Sequence, residues 1–213
     1  MKDAMTSVAG LSFSVLLLVS EDFMTKKVIV FLAEGFEEVE AITPIDYLRR
    51  AEIELTIATI GKTQTVKGAH GLQVIADATL ENLLKEGKLS AAAWDGVVLP
   101  GGRPGSDNLA ASAETGNFLK EMYGAGKWIF AICSAPTRVL FPLGILKGKK
   151  FTCYPGEEGK VSGAEWSKDR VVVDGKLLTS RGAGSAGEFA CAIIDKLLGA
   201  GEGAKIAEHV VLY

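Results

Sequence analysis

Short apolar runs recur along the chain, and segments with helical spacing separate them. Runs at 27–33, 96–99 and 128–132 are rich in Val, Ile and Leu. Strands that are apolar at nearly every position are typical of a parallel sheet that is buried on both faces. Between the first two runs, apolar residues recur at helical spacing at Val39, Ile42, Ile45 and Leu48. The alternation predicts an α/β fold, with a mainly parallel sheet flanked by helices on both faces.

Further elements follow from the same patterns. The run 54–60 predicts another strand, and glycines within 66–75 indicate a hairpin outside the main sheet. A second hairpin is predicted around Asp174-Gly175. Helices are expected at 77–86, 117–123, 135–143 and 187–198.

The composition excludes several classes of protein. With 213 residues, 48% of them hydrophobic, the chain buries a core without disulfides or a structural metal. A net charge of −3 gives no basic footprint for nucleic acid, and the chain has no apolar segment long enough to cross a membrane. Three cysteines, an odd number, favour a reducing, cytoplasmic location. We therefore expect one soluble domain at 24–213.

Residues 1–23 form an N-terminal extension of uncertain status. The apolar run 11–19 has the length of a signal-peptide core, but Ser20-Glu21-Asp22 is not a small-residue cleavage site. An upstream extension, an alternative start at Met24 and a cloning artefact all fit this segment. If it is ordered, we expect an added edge strand or an exchanged arm.

Cys133 is the first candidate for chemistry, because it follows the apolar run 128–132 directly and precedes a helical segment. A side chain at such a step is lifted out of the sheet, and the amides of the next helical turn favour a thiolate. This resembles the elbow that holds the nucleophile of many hydrolases. A buried cysteine that acts as a small hydrophobe fits the position equally well.

Two other strand ends carry unusual residues. The segment 34–40 contains Glu37, Glu38 and Glu40, which complement the dipole of the helix that follows. One of these carboxyls could also reach Cys133 and, if protonated, hydrogen-bond to its sulfur. The glycines of Pro100-Gly101-Gly102 allow backbone amides to approach a reacting atom as an oxyanion hole, or simply form a tight turn.

Four motifs in order, at 34–40, 98–102, 131–136 and 178–184, resemble those of the ThiJ/PfpI superfamily. Within it, they are similar to the branch of the parkinsonism-associated protein deglycase and its bacterial relatives. The resemblance covers about residues 26–212. It implies a flavodoxin-like sandwich, a homodimer and a cysteine nucleophile held by a protonated glutamate.

Carried over to this sequence, the resemblance makes Cys133 the nucleophile and Glu40 its carboxyl partner. It also implies that the amides of Gly101, Gly102 and Ser134 are oxyanion donors, and that Arg181 anchors an anionic group near the pocket.

Two departures from the family pattern affect the mechanism. Tyr154, a possible pocket residue, replaces a histidine that many members have before the proline, so an additional imidazole base is in doubt. Ser134 replaces the histidine that follows the nucleophile in protease-like members, which argues against a peptidase dyad. The two histidines, His70 and His209, are expected to be non-catalytic.

We expect no cofactor and no catalytic metal. The Gly-x-Gly-x-x-Gly pattern at 182–187 lacks the second βαβ strand of a dinucleotide site, and no cluster has convincing metal-ligand spacing.

The resemblance implies a glyoxalase or deglycase type of hydrolase that acts on methylglyoxal-like α-oxoaldehydes or their adducts. The alternative is a redox-sensing stress-response or chaperone-like protein that uses an oxidisable cysteine. Both functions require an accessible, reactive Cys133, so the sequence alone does not separate them.

Overall fold

The computed structural model describes residues 25–213, so the expectations for residues 1–23 lie outside the described residues. The strands in chain order are β1 (Lys27–Leu32), β2 (Glu54–Thr59), β3 (Thr65–Lys67), β4 (Gln73–Ile75), β5 (Ala78–Thr79), β6 (Gly96–Leu99), β7 (Trp128–Ile132), β8 (Lys150–Phe151), β9 (Glu165–Trp166), β10 (Val171–Asp174) and β11 (Leu177–Ser180).

Six α-helices connect and cover these strands. They are α1 (Glu38–Arg50), α2 (Leu80–Lys85), α3 (Gly105–Ala111), α4 (Ala113–Gly124), α5 (Ala186–Leu198) and α6 (Glu202–His209). A π-helical turn spans Pro136–Leu140, and short 3₁₀ turns span Ala91–Ala93, Glu158–Lys160 and Ala183–Ser185.

Seven strands form one sheet in the order β10-β11-β7-β6-β1-β2-β5. All neighbours in it pair in parallel except β10 and β11, which form the antiparallel hairpin predicted around Asp174-Gly175. The hairpin predicted at 66–75 is β3–β4, outside this sheet. The predicted α/β fold with a mainly parallel sheet is confirmed.

The sheet separates two hydrophobic cores. Along β1, Ile29 and Phe31 face one core, whereas Val28, Val30 and Leu32 face the other. Helices α2, α3 and α4 cover the first face, and α1, α5 and α6 cover the second. Because successive side chains of a strand point to opposite faces, an uninterrupted apolar run is what such a sandwich requires.

One predicted helix is wrong in type and length. The helix expected at 135–143 is a π-helical turn at Pro136–Leu140, closed by the Phe141 N–H donating to the Pro136 carbonyl. The next residue is Pro142, which has no N–H to continue the hydrogen-bonding pattern. The helix expected at 77–86 is also shorter, since β5 occupies its first residues.

Within residues 25–213, no helix combines the length and the apolar character needed to cross a bilayer.

Candidate active site

Cys133 lies at the carboxyl end of β7, where the strand turns sharply into the π-helical segment. Its φ is 64°, in the left-handed region that a non-glycine residue rarely adopts. The Cys133 N–H donates to the Ser180 carbonyl at 2.9 Å, and its carbonyl accepts from the Tyr154 N–H at 2.8 Å. Hydrogen bonds on both sides therefore hold this residue in an unfavourable conformation, and its side chain is only 9% exposed.

Glu40 lies in the first turn of α1, which follows β1 after a short loop. The Glu37 side chain caps this helix by accepting from the Glu40 N–H at 2.7 Å. The Glu40 residue is 1% exposed, and its Oε2 accepts from the Gly101 N–H at 2.9 Å. The Glu40 carboxyl also hydrogen-bonds to the Cys133 thiol and to the backbone of Ala183. One buried carboxyl thus connects the ends of several strands.

Gly101 allows this close approach. A Cβ at Gly101 would lie 2.6 Å from the Cys133 Cβ, 2.6 Å from Glu40 Oε2 and 3.0 Å from the Cys133 Sγ. No side chain fits there without moving the carboxyl or the thiol. The glycine is required by this contact, and not only by the turn after β6.

The Glu40–Cys133 pair has unusual proton affinities. Burial, together with the charge of Glu37, raises the pKa of Glu40 to about 7, although hydrogen bonds from Cys133, Gly101 and Ala183 oppose the shift. Burial and the negative charge of Glu40 also raise the pKa of the Cys133 thiol. The hydrogen bond from the Cys133 thiol favours the Glu40 carboxylate, whereas that carboxylate disfavours the thiolate. The pair therefore loses its first proton near neutral pH, and the two groups then share the one that remains.

This corrects the expectation that the helix amides alone favour the thiolate. The backbone N–H groups of Gly102 and Ser134 do lower the pKa of Cys133. Burial and the Glu40 carboxylate outweigh them, so the thiolate is favoured only when the shared proton lies on Glu40.

Ser134 follows Cys133 and is also buried. Its hydroxyl lies 2.8 Å from the hydroxyl of Ser106, which begins the first turn of α3. The Ser106 N–H donates to the Gly102 carbonyl at 3.0 Å. The two loops that carry the amides beside the sulfur are therefore joined by hydrogen bonds.

A cavity of about 380 Å³ opens above the thiol. Its lining residues are Glu37, Gly102, Arg103, Cys133, Ser134, Tyr154, Pro155, Gly156 and Glu157. The sequence analysis missed Arg103 and Glu157, which are 54 residues apart and joined by an ion pair. The position of Arg103 directly after Gly101-Gly102 was the available signal, but nothing in the sequence indicates its partner.

Arg181 does not line this cavity. It lies beside a neighbouring cavity of about 310 Å³, which shares Tyr154 and Pro155 with the first. Its Nη1 donates to the Lys168 carbonyl at 3.1 Å. Tyr154, which occupies the position of the family histidine, is 53% exposed and lies between the two cavities.

His70 lies outside the cavity, with its side chain 75% exposed. Its Nδ1 is 2.8 Å from Glu38 Oε2, and this hydrogen bond raises the pKa of His70. Among residues 25–213, Glu37, Glu38 and His70 form the one group with potential metal-ligating atoms all within 4.8 Å. The contacts of Glu38 with the His70 ring and N–H, and of Glu37 with the Glu40 N–H, account for this cluster as a helix cap.

The chain is similar to known proteins of one family. The sequence profile of the DJ-1/PfpI family matches residues 26–196. Protein DJ-1 homolog B of Arabidopsis thaliana is 36% identical over 88% of this chain, which spans only 42% of that relative. A protein named deglycase from Pyrococcus horikoshii is 34% identical over 73% of this chain and 89% of its own length.

Solved structures of relatives are similar to this structure as well. A crystal structure of a cysteine-to-alanine mutant of a DJ-1 superfamily protein from Salmonella typhimurium superimposes with a TM-score of 0.82 and 37% identity. The match covers 88% of this chain and 98% of the Salmonella chain. The chain therefore belongs to the DJ-1/PfpI family.

Proposed function

We propose that the protein is a cysteine-dependent hydrolase of the glyoxalase or deglycase type, acting on α-oxoaldehydes or their adducts. The observation that carries this proposal is the buried Glu40–Cys133 pair. A carboxyl whose pKa is about 7 can both donate and accept a proton near neutral pH. Because it lies against the Cys133 sulfur at the base of a cavity, the carboxyl can transfer protons in the addition to the carbonyl and in the proton transfer that follows.

The first step is addition. When the shared proton lies on Glu40, the Cys133 thiolate attacks the aldehyde carbon of a compound such as methylglyoxal. The new C–S bond converts the carbonyl oxygen into an alkoxide. The backbone N–H groups of Gly102 and Ser134, which approach the sulfur, are placed to stabilise that charge. Proton transfer from Glu40 then gives a hemithioacetal.

The second step is an internal proton transfer. The Glu40 carboxylate removes the proton from the former aldehyde carbon and returns it to the adjacent carbon, while the hydroxyl proton of the hemithioacetal passes to the oxygen on that adjacent carbon. The carbonyl thereby moves to the carbon bonded to sulfur, which gives a lactoyl thioester on Cys133. Attack by water releases lactate and restores the thiol. The whole sequence is redox-neutral and, apart from water, uses only side chains and backbone N–H groups of the described chain.

The related protein from Pyrococcus horikoshii, which is named a deglycase, supports the adduct form of this proposal. A hemiaminal or hemithioacetal adduct exposes the same two-carbon unit once it dissociates or is attacked by the thiolate. Release of the amine or thiol, followed by hydrolysis of the thioester, is deglycation.

The test is formation of D- and L-lactate from methylglyoxal without glutathione, with the background from buffer amines and thiols subtracted. We expect lactate from the wild type and from Cys191→Ala, a matched control at a buried cysteine that does not line the cavity. We expect none from Cys133→Ala. Wild-type lactate formation that Cys133→Ala retains in full would overturn the mechanism.

A redox-sensing function is the second candidate. The amides of Gly102 and Ser134 beside the sulfur could equally hold the oxygens of a sulfinate. Graded hydrogen peroxide followed by peptide mass spectrometry tests it. Selective oxidation of Cys133 at low dose, with a change in client binding, would support this candidate. Equal oxidation of Cys133 and Cys191 would reject it.

We also propose a homodimer. Helix α1 exposes Val39 and Ile42, and the β3–β4 hairpin region exposes Leu72 and Ile75, the last of these at 75%. The hairpin adjoins the amino end of α1, because the Gly35 N–H donates to the Lys67 carbonyl at 2.8 Å. A second copy of the chain would cover this apolar surface.

A further inference from the structure

Arg103 places a guanidinium at the mouth of the cavity that holds Cys133. It follows Gly101-Gly102 directly and lines the cavity, with its side chain 59% exposed. Its Nη2 donates to Glu157 Oε1 at 2.6 Å. Glu157 thus holds the guanidinium on one side, while most of the guanidinium stays open to the cavity and to solvent.

Two cations other than Arg103 also pair with Glu157. Its carboxylate, 9% exposed, accepts from Arg138 Nη2 at 3.2 Å and from Lys160 Nζ at 2.8 Å. Thr137 Oγ1 lies 3.4 Å from the same carboxylate. Arg138 is only 19% exposed and also pairs with Asp107. Three cations therefore face two carboxylates, which leaves one excess positive charge in this cluster.

The remaining donors of Arg103 are suited to a second anion. A guanidinium has five N–H groups in a planar fork that matches a carboxylate, and among residues 25–213 only the Nη2 of Arg103 has a partner. The other charged residues that line the cavity are carboxylates: Glu157 pairs with Arg103, and Glu37 accepts from the Glu40 N–H as a helix cap. Arg103 is thus the cationic donor available to a ligand in the cavity among its described lining residues.

The size of the cavity also favours a ligand that reaches Arg103. About 380 Å³ lies in the range of about 300–1,000 Å³ found for sites that bind drug-sized ligands. A three-carbon aldehyde leaves much of that space empty. A larger substrate, with its carbonyl at Cys133, would extend toward Arg103.

We propose that Arg103 is a specificity-determining residue that binds a carboxylate of the substrate, so that the site prefers oxo compounds or adducts carrying an acidic group beyond the reacting carbonyl. The substrate class rests on the proposed function. The preference for an anion does not rest on the proposed function, because it can be measured with any reagent that modifies the Cys133 thiol.

The test uses two thiol reagents that differ in one group, 3-maleimidopropionate and 3-maleimidopropionamide. The rate constants for modification of Cys133 are measured at one pH and assigned by peptide mass spectrometry. We expect the acid to be favoured over the amide by about tenfold in the wild type, which corresponds to about 1.4 kcal/mol. In Arg103→Gln the ratio should fall to about one, and Arg103→Lys should lie between, because it keeps the charge but loses the fork.

Arg49→Gln is the matched control. Arg49 is also a half-exposed arginine in an ion pair, with Asp77, but it does not line the cavity. This variant should keep the wild-type ratio. A wild-type ratio in Arg103→Gln would overturn the proposal.

The same comparison is then made with hemithioacetals of methylglyoxal formed from N-acetylcysteine and from its amide. We expect the acid adduct to have the higher kcat/KM, with the preference lost in Arg103→Gln mainly through KM. No turnover of either adduct or of methylglyoxal, with the maleimide preference intact, would reject the proposed function and retain the anion site. Turnover with no effect of Arg103→Gln on either ratio would reject the anion site alone.

Discussion

At the scale of single residues, the site depends on a carboxyl and a thiol that are buried together. Neither residue type is unusual in a sequence, and three glutamates lie within residues 37–40. The resemblance to a family singled out Glu40, and the structure gives the physical difference: Glu37 caps the helix and Glu38 binds His70, whereas Glu40 points into the protein.

Glu40 should make stability depend on pH. Because burial raises its pKa from 4.5 to about 7, the native state holds a proton that the unfolded chain loses. The stabilisation is complete below about pH 4.5 and is lost as the pH rises through about 7, with a total on the order of 3 kcal/mol. Glu40→Gln should flatten this fall in the free energy of unfolding, measured by urea denaturation from pH 4.5 to 8. The exposed control Glu208→Gln should not.

A Glu40→Gln curve parallel to the wild-type curve across that range would show that Glu40 is not protonated in the native protein.

Gly101 provides a second test at this scale. Gly101→Ala would place a methyl group against Glu40 Oε2 and the Cys133 thiol. We expect a loss of stability of about 1–3 kcal/mol from overpacking, together with loss of lactate formation. Gly124→Ala is the control, because nothing lies within 4 Å of a Cβ there and alanine favours the helix. Normal activity in Gly101→Ala would show that the Glu40–Cys133 contact is not needed.

At the scale of elements, the junction between β7 and the π-helical turn is what presents Cys133. The sequence predicted the strand and the sharp step, since both follow from an apolar run that ends before Pro136. It did not predict the π-helical geometry, because residues 135–143 also fit an ordinary helix. The left-handed backbone of Cys133 depends on hydrogen bonds to the Ser180 carbonyl and from the Tyr154 N–H, which lie in distant parts of the chain.

This junction stores backbone strain. A non-glycine residue at φ near 60° costs roughly 1–2 kcal/mol relative to glycine. Cys133→Gly should therefore be more stable than Cys133→Ala by about 1 kcal/mol, although both lack the sulfur. Urea denaturation of the two variants measures the difference. Equal stability, or a more stable Cys133→Ala, would mean that the junction is not strained.

At the scale of the whole molecule, strand order brings the site together. From β1 the chain continues to β2 on one side, and β6 then pairs on the other side of β1. A crevice forms at such a switch point, outside the carboxyl ends of the strands. Glu40 after β1, Gly101 after β6 and Cys133 after β7 all meet there.

The sequence predicted these strands and the candidate residues at their ends. It could not predict the strand order or the Arg103–Glu157 pair. Each of these depends on contacts between residues far apart in the chain, for which local periodicity carries no signal.

The proposed dimer is tested at this scale. Ile75→Glu places a charge in the exposed apolar surface of α1 and the β3–β4 hairpin, so the dissociation constant of the dimer should rise at least tenfold. Sedimentation velocity over a range of concentrations measures it. Tyr123→Glu, on α4 at the other face of the sheet, is the control and should leave the dimer unchanged. An unaffected dimer in Ile75→Glu would place the interface elsewhere.

In the proposed mechanism, Cys133 becomes covalently bonded to the substrate while Glu40 moves the proton. Rapid mixing of the wild type with methylglyoxal, acid quenching and peptide mass spectrometry test it most directly. We expect the wild type to form a lactoyl thioester on the Cys133 peptide, which reacts with hydroxylamine and forms as fast as lactate appears. We expect no such thioester in Glu40→Gln. Lactate production at the full rate with no thioester on Cys133 would contradict this mechanism.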